Sequence, residues 1–86
     1  MSALPTVTLY GRAGCHLCDD ARRVLQRLRK RSPFVLEERD IEADDELLSA
    51  YLERIPVIAL EGEELYDFFV DERDLTRRLG ADAPDD

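Results

Sequence analysis

The sequence contains no apolar run near the ~18 residues that a membrane-crossing helix needs. It contains no internal repeat and no low-complexity stretch. Positive charge is in deficit, with 12 Lys/Arg against 20 Asp/Glu and a net charge of −8. That balance argues against a general nucleic-acid binder, which works by counterion release along phosphates. Only two cysteines and one histidine are present, three of the four Cys or His ligands that a tetrahedral structural zinc site favours, which weighs against such a site within one chain. Met1 to Pro5 lack the basic and apolar regions of a signal peptide. The sequence therefore predicts a reducing, cytoplasmic setting in which a structural disulfide is out of place. Eighty-six residues, 44% apolar and 37% charged, leave room for one globular domain.

The charge that is present is unevenly spread. Residues 1–36 carry seven Lys/Arg against two Asp, a net of +5, and residues 37–86 carry five Arg against eighteen acids, a net of −13. Thr6 to Tyr10 is rich in β-branched and aromatic residues and stops at Gly11, which predicts a first strand. Gly11 and Gly14 bracket a tight loop. Leu17, Ala21, Val24, Leu25 and Leu28 then draw one helical stripe, with Asp19 and Asp20 in the first turn and Arg29, Lys30 and Arg31 in the last, as the helix dipole favours. Ser32-Pro33 ends that helix.

A second strand opens at Phe34. A second helix begins near Ala43–Glu46, with Leu47, Leu48, Tyr51 and Ile55 as its buried face. Val57–Leu60 reads as a buried strand, Glu61-Gly62-Glu63 as a hairpin turn, and Glu64–Tyr66 as an edge strand. Asp71 starts a last helix through Leu75 and Leu79, stopped by Gly80. The order βαβ followed by αββα predicts an α/β fold with a four-stranded mixed sheet, a parallel first crossover and helices on both faces. Residues 1–80 form the domain, and the acidic tail 81–86 is expected to fray.

Both cysteines lie in one motif, Cys15-His16-Leu17-Cys18, which leaves redox chemistry or metal binding as its readings. Its place at a strand-to-helix junction has chemical consequences. Unpaired N–H groups and the positive dipole end favour an anion at Cys15, and a thiolate is the nucleophile of disulfide exchange. Cys18, one turn on, is within reach of a mixed disulfide on Cys15. Arg12 adds a positive charge, whereas Asp19 and Asp20 disfavour the thiolate. His16 either tunes the thiolate when protonated or is an exposed side chain of little consequence.

These features resemble the glutaredoxin family of the thioredoxin superfamily. The resemblance rests on Tyr10-x-Arg12-x-x-Cys15-x-x-Cys18 between strand and helix, and on Ile55-Pro56-Val57 opening an apolar strand downstream. It covers roughly Thr6 to Leu79 and implies a thioredoxin-like, glutaredoxin-type fold with three helices. By position it implies a thiol–disulfide oxidoreductase. Cys15 attacks, Cys18 resolves, and Pro56 is a cis-proline facing the cysteines. The Ile55 backbone then pairs with a substrate, and Arg12 serves the thiolate or a substrate carboxylate.

The implied partners are a disulfide-bearing protein or small thiol substrate and a thiol reductant or reductase, with no metal, no resident cofactor, no membrane and no nucleic acid, on a monomer. Two departures bear on glutathione as co-substrate. His16-Leu17 stands where the family usually has Pro-Tyr, and Tyr66–Glu72 lacks the glycine pair that cradles glutathione, so Phe69 and Val70 would crowd such a site. The alternative reading is a non-catalytic module, either a dimeric iron–sulfur cluster carrier or a redox-dead adaptor. Arg22, Arg23, Arg27, Arg29, Lys30 and Arg31 read as a solvated helix face, with docking of an acidic partner as the alternative. Phe68 and Phe69 read as core in preference to a cover over the site. The charge split predicts that Cys15 sits where a basic flank meets an acidic one.

Overall fold

Strand β1 (Thr6–Gly11) lies between β2 (Val35–Asp40), parallel to it, and β3 (Val57–Leu60), antiparallel to it. β3 turns back as the edge strand β4 (Glu63–Asp67), giving a mixed sheet of order β2-β1-β3-β4. Helix α1 (His16–Arg31) makes the β1-to-β2 crossover, a 3-10 turn (Ile41–Ala43) leads into α2 (Asp45–Tyr51), and α3 (Glu72–Asp82) follows β4. This computed structural model describes residues 4–82, with side chains to Gly80. The element order is the βαβ–αββα that the sequence predicts.

Alternation along the strands sorts the layers. Val7 and Leu9 of β1 and Ile58 and Leu60 of β3 point to one face. There they join Ala21, Leu25 and Leu28 of α1, Phe34, and Leu75 and Leu79 of α3 in one buried cluster. The stripe read from the sequence is thus the face α1 buries, and each fully buried Leu contributes about 1.5–3 kcal/mol. Tyr10, on the opposite face, stacks on Tyr51 of α2 with ring centroids 4.6 Å apart. α1 and α3 therefore cover one side of the sheet and α2 the other.

Three local expectations need correction. Leu47, Leu48, Tyr51 and Ile55 are only half-buried, and no residue of α2 is fully buried. α2 is seven residues long and ends before Ile55, so it offers little stripe, and the fully buried side chain next to it in sequence is Ile41 of the 3-10 turn. Phe68 and Phe69 are not core: they are 46% and 71% exposed. Phe68 adopts φ 74°, its N–H donates to the Pro56 carbonyl and the Phe69 N–H donates to the Asp67 carbonyl, a tight turn that swings both rings outward. Gly80 does not stop α3, which runs to Asp82. Of the tail 81–86, residues 83–86 lie outside the described residues.

The hairpin is tighter than the sequence suggested. Leu60 pairs with Glu63 across a two-residue turn, Glu61-Gly62, with φ of 51° and 86°. Positive φ at both central residues is what a type I′ hairpin turn requires. The Glu61 carboxylate and backbone N–H both bond to Thr6, tying the turn to the start of β1.

The candidate site lies at the far end of the sheet. Tyr10 pairs with Val57, and Val57 with Asp67, so the end of β1, the start of β3 and the end of β4 lie side by side. The three segments that leave that edge are the cysteine loop, Ile55-Pro56 and the Phe68-Phe69 turn.

Candidate functional site

The cysteine loop is built by one left-handed glycine and one helix cap. Gly14, at φ 78°, turns the chain where an L side chain would be strained. Cys15 is then extended and forms the N-cap of α1, its carbonyl accepting the Asp19 N–H at 3.1 Å. Its sulfur accepts the Cys18 backbone N–H, also at 3.1 Å. One of the orphan N–H groups of the first turn is therefore aimed at sulfur. The two sulfurs are joined as a disulfide, with Cα atoms 5.2 Å apart. Cys15 is half-buried and Cys18 fully buried. His16 and Leu17, between them, face solvent.

The acids flanking the motif carry less free charge than the sequence suggested. Asp19 accepts from Arg22 at 2.8 Å and Asp20 from Arg23 at 2.9 Å, each pair three residues apart on α1. Arg22 also grips Glu38 of β2 at 2.7 Å, and these hydrogen bonds, Glu38 first and Asp19 second, push its pKa up. Arg27 and Arg31 both pair with Glu72 of α3. Acids of the negative segment thus cover much of the positive helix, consistent with the solvated-face reading.

Arg12 is exposed and sits 3.2 Å from the Glu42 carboxylate. With Gly11, Cys18, Arg22, Glu38 and Asp40 it lines a cavity of about 310 Å³ on the β2 side of the motif. The structure thus brings Arg12 and Cys18 to one cavity, whereas His16 is not among its lining residues. Glu38 and Asp40 were not foreseen as part of this environment. The signal was their two-residue spacing on β2, which puts both on one face beside the end of β1.

Pro56 is fully buried and the Ile55–Pro56 peptide is cis. Its carbonyl is taken by the Phe68 N–H at 2.7 Å, so the start of β3 and the Phe68 turn are one unit. Arg54, two residues earlier, clamps this unit from outside with two bonds of 3.1 Å to Asp67 and one of 2.6 Å to Glu64. Tyr51 donates to Glu64 at 2.6 Å, and that bond, with burial second, pushes the phenol up to about 12. The same Tyr51 bond and then Arg54 hold Glu64 below the usual carboxylate range. This clamp was also missed, because its members are scattered from 51 to 67. Among the described residues, no group of three or more His, Cys, Asp or Glu side chains is placed to hold a metal ion. No helix there is long and apolar enough to cross a membrane.

A four-stranded mixed sheet with three helices and a Cys-x-x-Cys pair at the first strand-to-helix junction defines a thioredoxin-like fold suited to redox chemistry. A thioredoxin variant from Halobacterium salinarum, 19% identical, shares that fold with a TM-score of 0.67 over 92% of this chain and 74% of its own. Residues 6–80 match the Glutaredoxin-like domain (DUF836), and the chain belongs to that family. It is similar to protein Ne2328 from Nitrosomonas europaea, at 32% identity and TM-score 0.79, over 91% of this chain and 94% of that one. It is similar also to target protein XcR50 from X. campestris, at 39% identity and TM-score 0.71, over 91% of this chain and 99% of that one.

Proposed function

We propose that this protein is a thiol–disulfide oxidoreductase working through the Cys15–Cys18 dithiol. One observation carries the reading: half-buried Cys15 caps α1 and its sulfur receives an N–H at 3.1 Å, while its partner Cys18 is fully buried. That asymmetry suits a nucleophile and a resolving thiol. A cap position that stabilises an anion favours the Cys15 thiolate, and burial shields Cys18 from direct attack.

The electrons balance over two steps. The Cys15 thiolate attacks a substrate disulfide, forming a mixed disulfide and releasing one substrate thiolate, which takes a proton. Cys18 gives up its proton and attacks the Cys15 sulfur, releasing the second substrate thiolate. The substrate has gained two electrons and the protein is left as the Cys15–Cys18 disulfide, to be reduced by an external thiol or reductase. Arg12 and His16 tune the thiolate, and Arg12 also meets a substrate carboxylate. Ile55, which makes no backbone hydrogen bond of its own among the described residues, pairs with the substrate main chain beside Pro56. The protein works as a cytoplasmic monomer without a resident cofactor.

The exposed Phe68-Phe69 turn beside Pro56 favours a protein disulfide over glutathione as the partner. By the resemblance to glutaredoxins, Phe69 and Val70 fall in the stretch where that family has the glycine pair that cradles the tripeptide, and they would crowd it. Replacing Cys15 by Ser is expected to abolish reduction of a protein disulfide, and an active Cys15→Ser enzyme would sink the assignment. The donor is read by reducing the oxidised protein with glutathione or with a thioredoxin-reductase-type system. Reduction by the reductase supports this partner choice, and equally fast reduction by glutathione alone contradicts it.

A further inference from the structure

Gly11, the last residue of β1, is buried and is glycine for space. A Cβ at this position would lie 2.9 Å from the Cys18 sulfur and 3.2 Å from Cys18 Cβ, and would meet no other side chain within 4 Å. Non-bonded heavy atoms normally stand ~3.5–4.0 Å apart. The other three glycines, Gly14, Gly62 and Gly80, would meet nothing within 4 Å. Gly11 is thus the one glycine of the chain whose missing side chain is matched to a sulfur.

We propose that Gly11 is a positioning residue for the resolving thiol: the room left by its absent side chain is where the Cys18 sulfur stands when bonded to Cys15. This rests on the dithiol reading above. In the disulfide the Cys18 sulfur is fixed by its bond to Cys15. In the dithiol it is free to take another staggered rotamer. A methyl group on residue 11 therefore penalises the disulfide more than the dithiol. It also hinders the second chemical step, in which Cys18 must reach the Cys15 sulfur, and leaves the first step, made by the accessible Cys15, nearly untouched.

The test uses an aromatic disulfide whose released thiolate is coloured. Cys15 attack forms a mixed disulfide and frees one equivalent of thiolate. Cys18, losing its proton to solvent, then attacks Cys15 and frees a second. Gly11→Ala is expected to keep the first phase within about twofold of wild type and slow the second at least tenfold. In a thiol–disulfide redox buffer its equilibrium should move at least tenfold toward the dithiol, a reduction potential about 30 mV less negative. A merely structural role for Gly11 would lower the stability of both forms alike and move neither readout.

Because Gly11→Ala also crowds the Cys18 Cβ, the same change is made in a Cys18→Ala background, where the sulfur is gone. There only the 3.2 Å contact with the residue-18 Cβ remains, so the melting loss should be less than half of that in the Cys18 background. An equal melting loss in both backgrounds, or an unchanged second phase and equilibrium, overturns the assignment of Gly11. Failure of the wild type itself to release a second equivalent overturns the dithiol reading instead.

Discussion

Two four-residue junctions at the same sheet edge invite comparison: residues 12–15, from β1 into α1, and residues 68–71, from β4 into α3. Each contains one left-handed residue, Gly14 at φ 78° and Phe68 at φ 74°. Each ends on a helix cap whose side chain accepts the N–H three residues on, the Cys15 sulfur from Cys18 at 3.1 Å and the Asp71 carboxylate from Asp74 at 3.0 Å. In each the cap carbonyl accepts the N–H four residues on, from Asp19 and from Leu75. The cap is the same in both, although the left-handed residue directly precedes it in one junction and stands three residues before it in the other. The chemical difference lies in what the cap is made of. A carboxylate cap is an inert anion that holds a helix, whereas a sulfur cap becomes, when reduced, a nucleophile stabilised by the same N–H and dipole. The left-handed residue differs as well. Glycine takes that conformation freely and leaves Cys15 open, whereas Phe68 takes it at a cost of roughly 1–2 kcal/mol and stands beside the site as an exposed ring.

The largest expected effect separates capping from chemistry. Serine is a preferred cap, so Cys15→Ser should melt within a few degrees of reduced wild type while disulfide reduction disappears. Asp71→Ala should do the reverse, losing about 1 kcal/mol of stability with activity at 25 °C unchanged, which denaturant unfolding and an exchange assay report together. Loss of activity in Asp71→Ala would break the comparison.

A smaller effect belongs to the left-handed residues. Gly14→Ala meets no steric neighbour, so its cost is backbone alone, about 1–2 kcal/mol in chemical denaturation. Phe68→Gly should change stability by less than about 1 kcal/mol, in the favourable direction. It should also weaken protein substrates and speed reduction by glutathione.

The smallest effect concerns pH. Glu64, held low by Tyr51 and then Arg54, and Asp74, held low by Tyr66 and then Arg78, have folded pKa values below the ordinary carboxylate range. Their contribution is therefore present above about pH 4 and lost as pH falls through those depressed values. Tyr51, raised to about 12 by its Glu64 bond and burial, works in the opposite sense. Its contribution is complete below its ordinary value and is lost as pH rises toward 12. Tyr66, raised by burial and then by Asp74, adds in the same direction. Thermal melts should show shallow losses at both extremes. Tyr51→Phe should flatten the alkaline limb, and an unchanged limb would remove Tyr51 from that account.

Much of the fold was legible because local and global signals agree in it. The β-branched run before Gly11, the stripe from Leu17 to Leu28 and Pro56 before Val57–Leu60 each name an element and its buried face. The cysteine motif was legible because its chemistry follows from adjacency in sequence. What was not legible depends on tertiary direction. Phe68 and Phe69 are apolar, and nothing local says that a left-handed turn bonded to Pro56 points them to solvent. Ile41 displaced the expected α2 stripe because a 3-10 turn, invisible to a 3.6-residue period, carries it inward. Asp19 and Asp20 read as acids opposed to a thiolate, although the Arg residues three positions on were present to pair with them. The fit of Gly11 to the Cys18 sulfur spans strand and helix, and no spacing rule encodes it.

The central claim is that Cys15 attacks and Cys18 resolves. It is tested most directly by mass spectrometry of Cys18→Ser after reaction with a peptide disulfide. The account predicts one peptide bound per chain through Cys15, stable until a reducing agent is added. No adduct on Cys15, or continued turnover by Cys18→Ser at the wild-type rate, would contradict it.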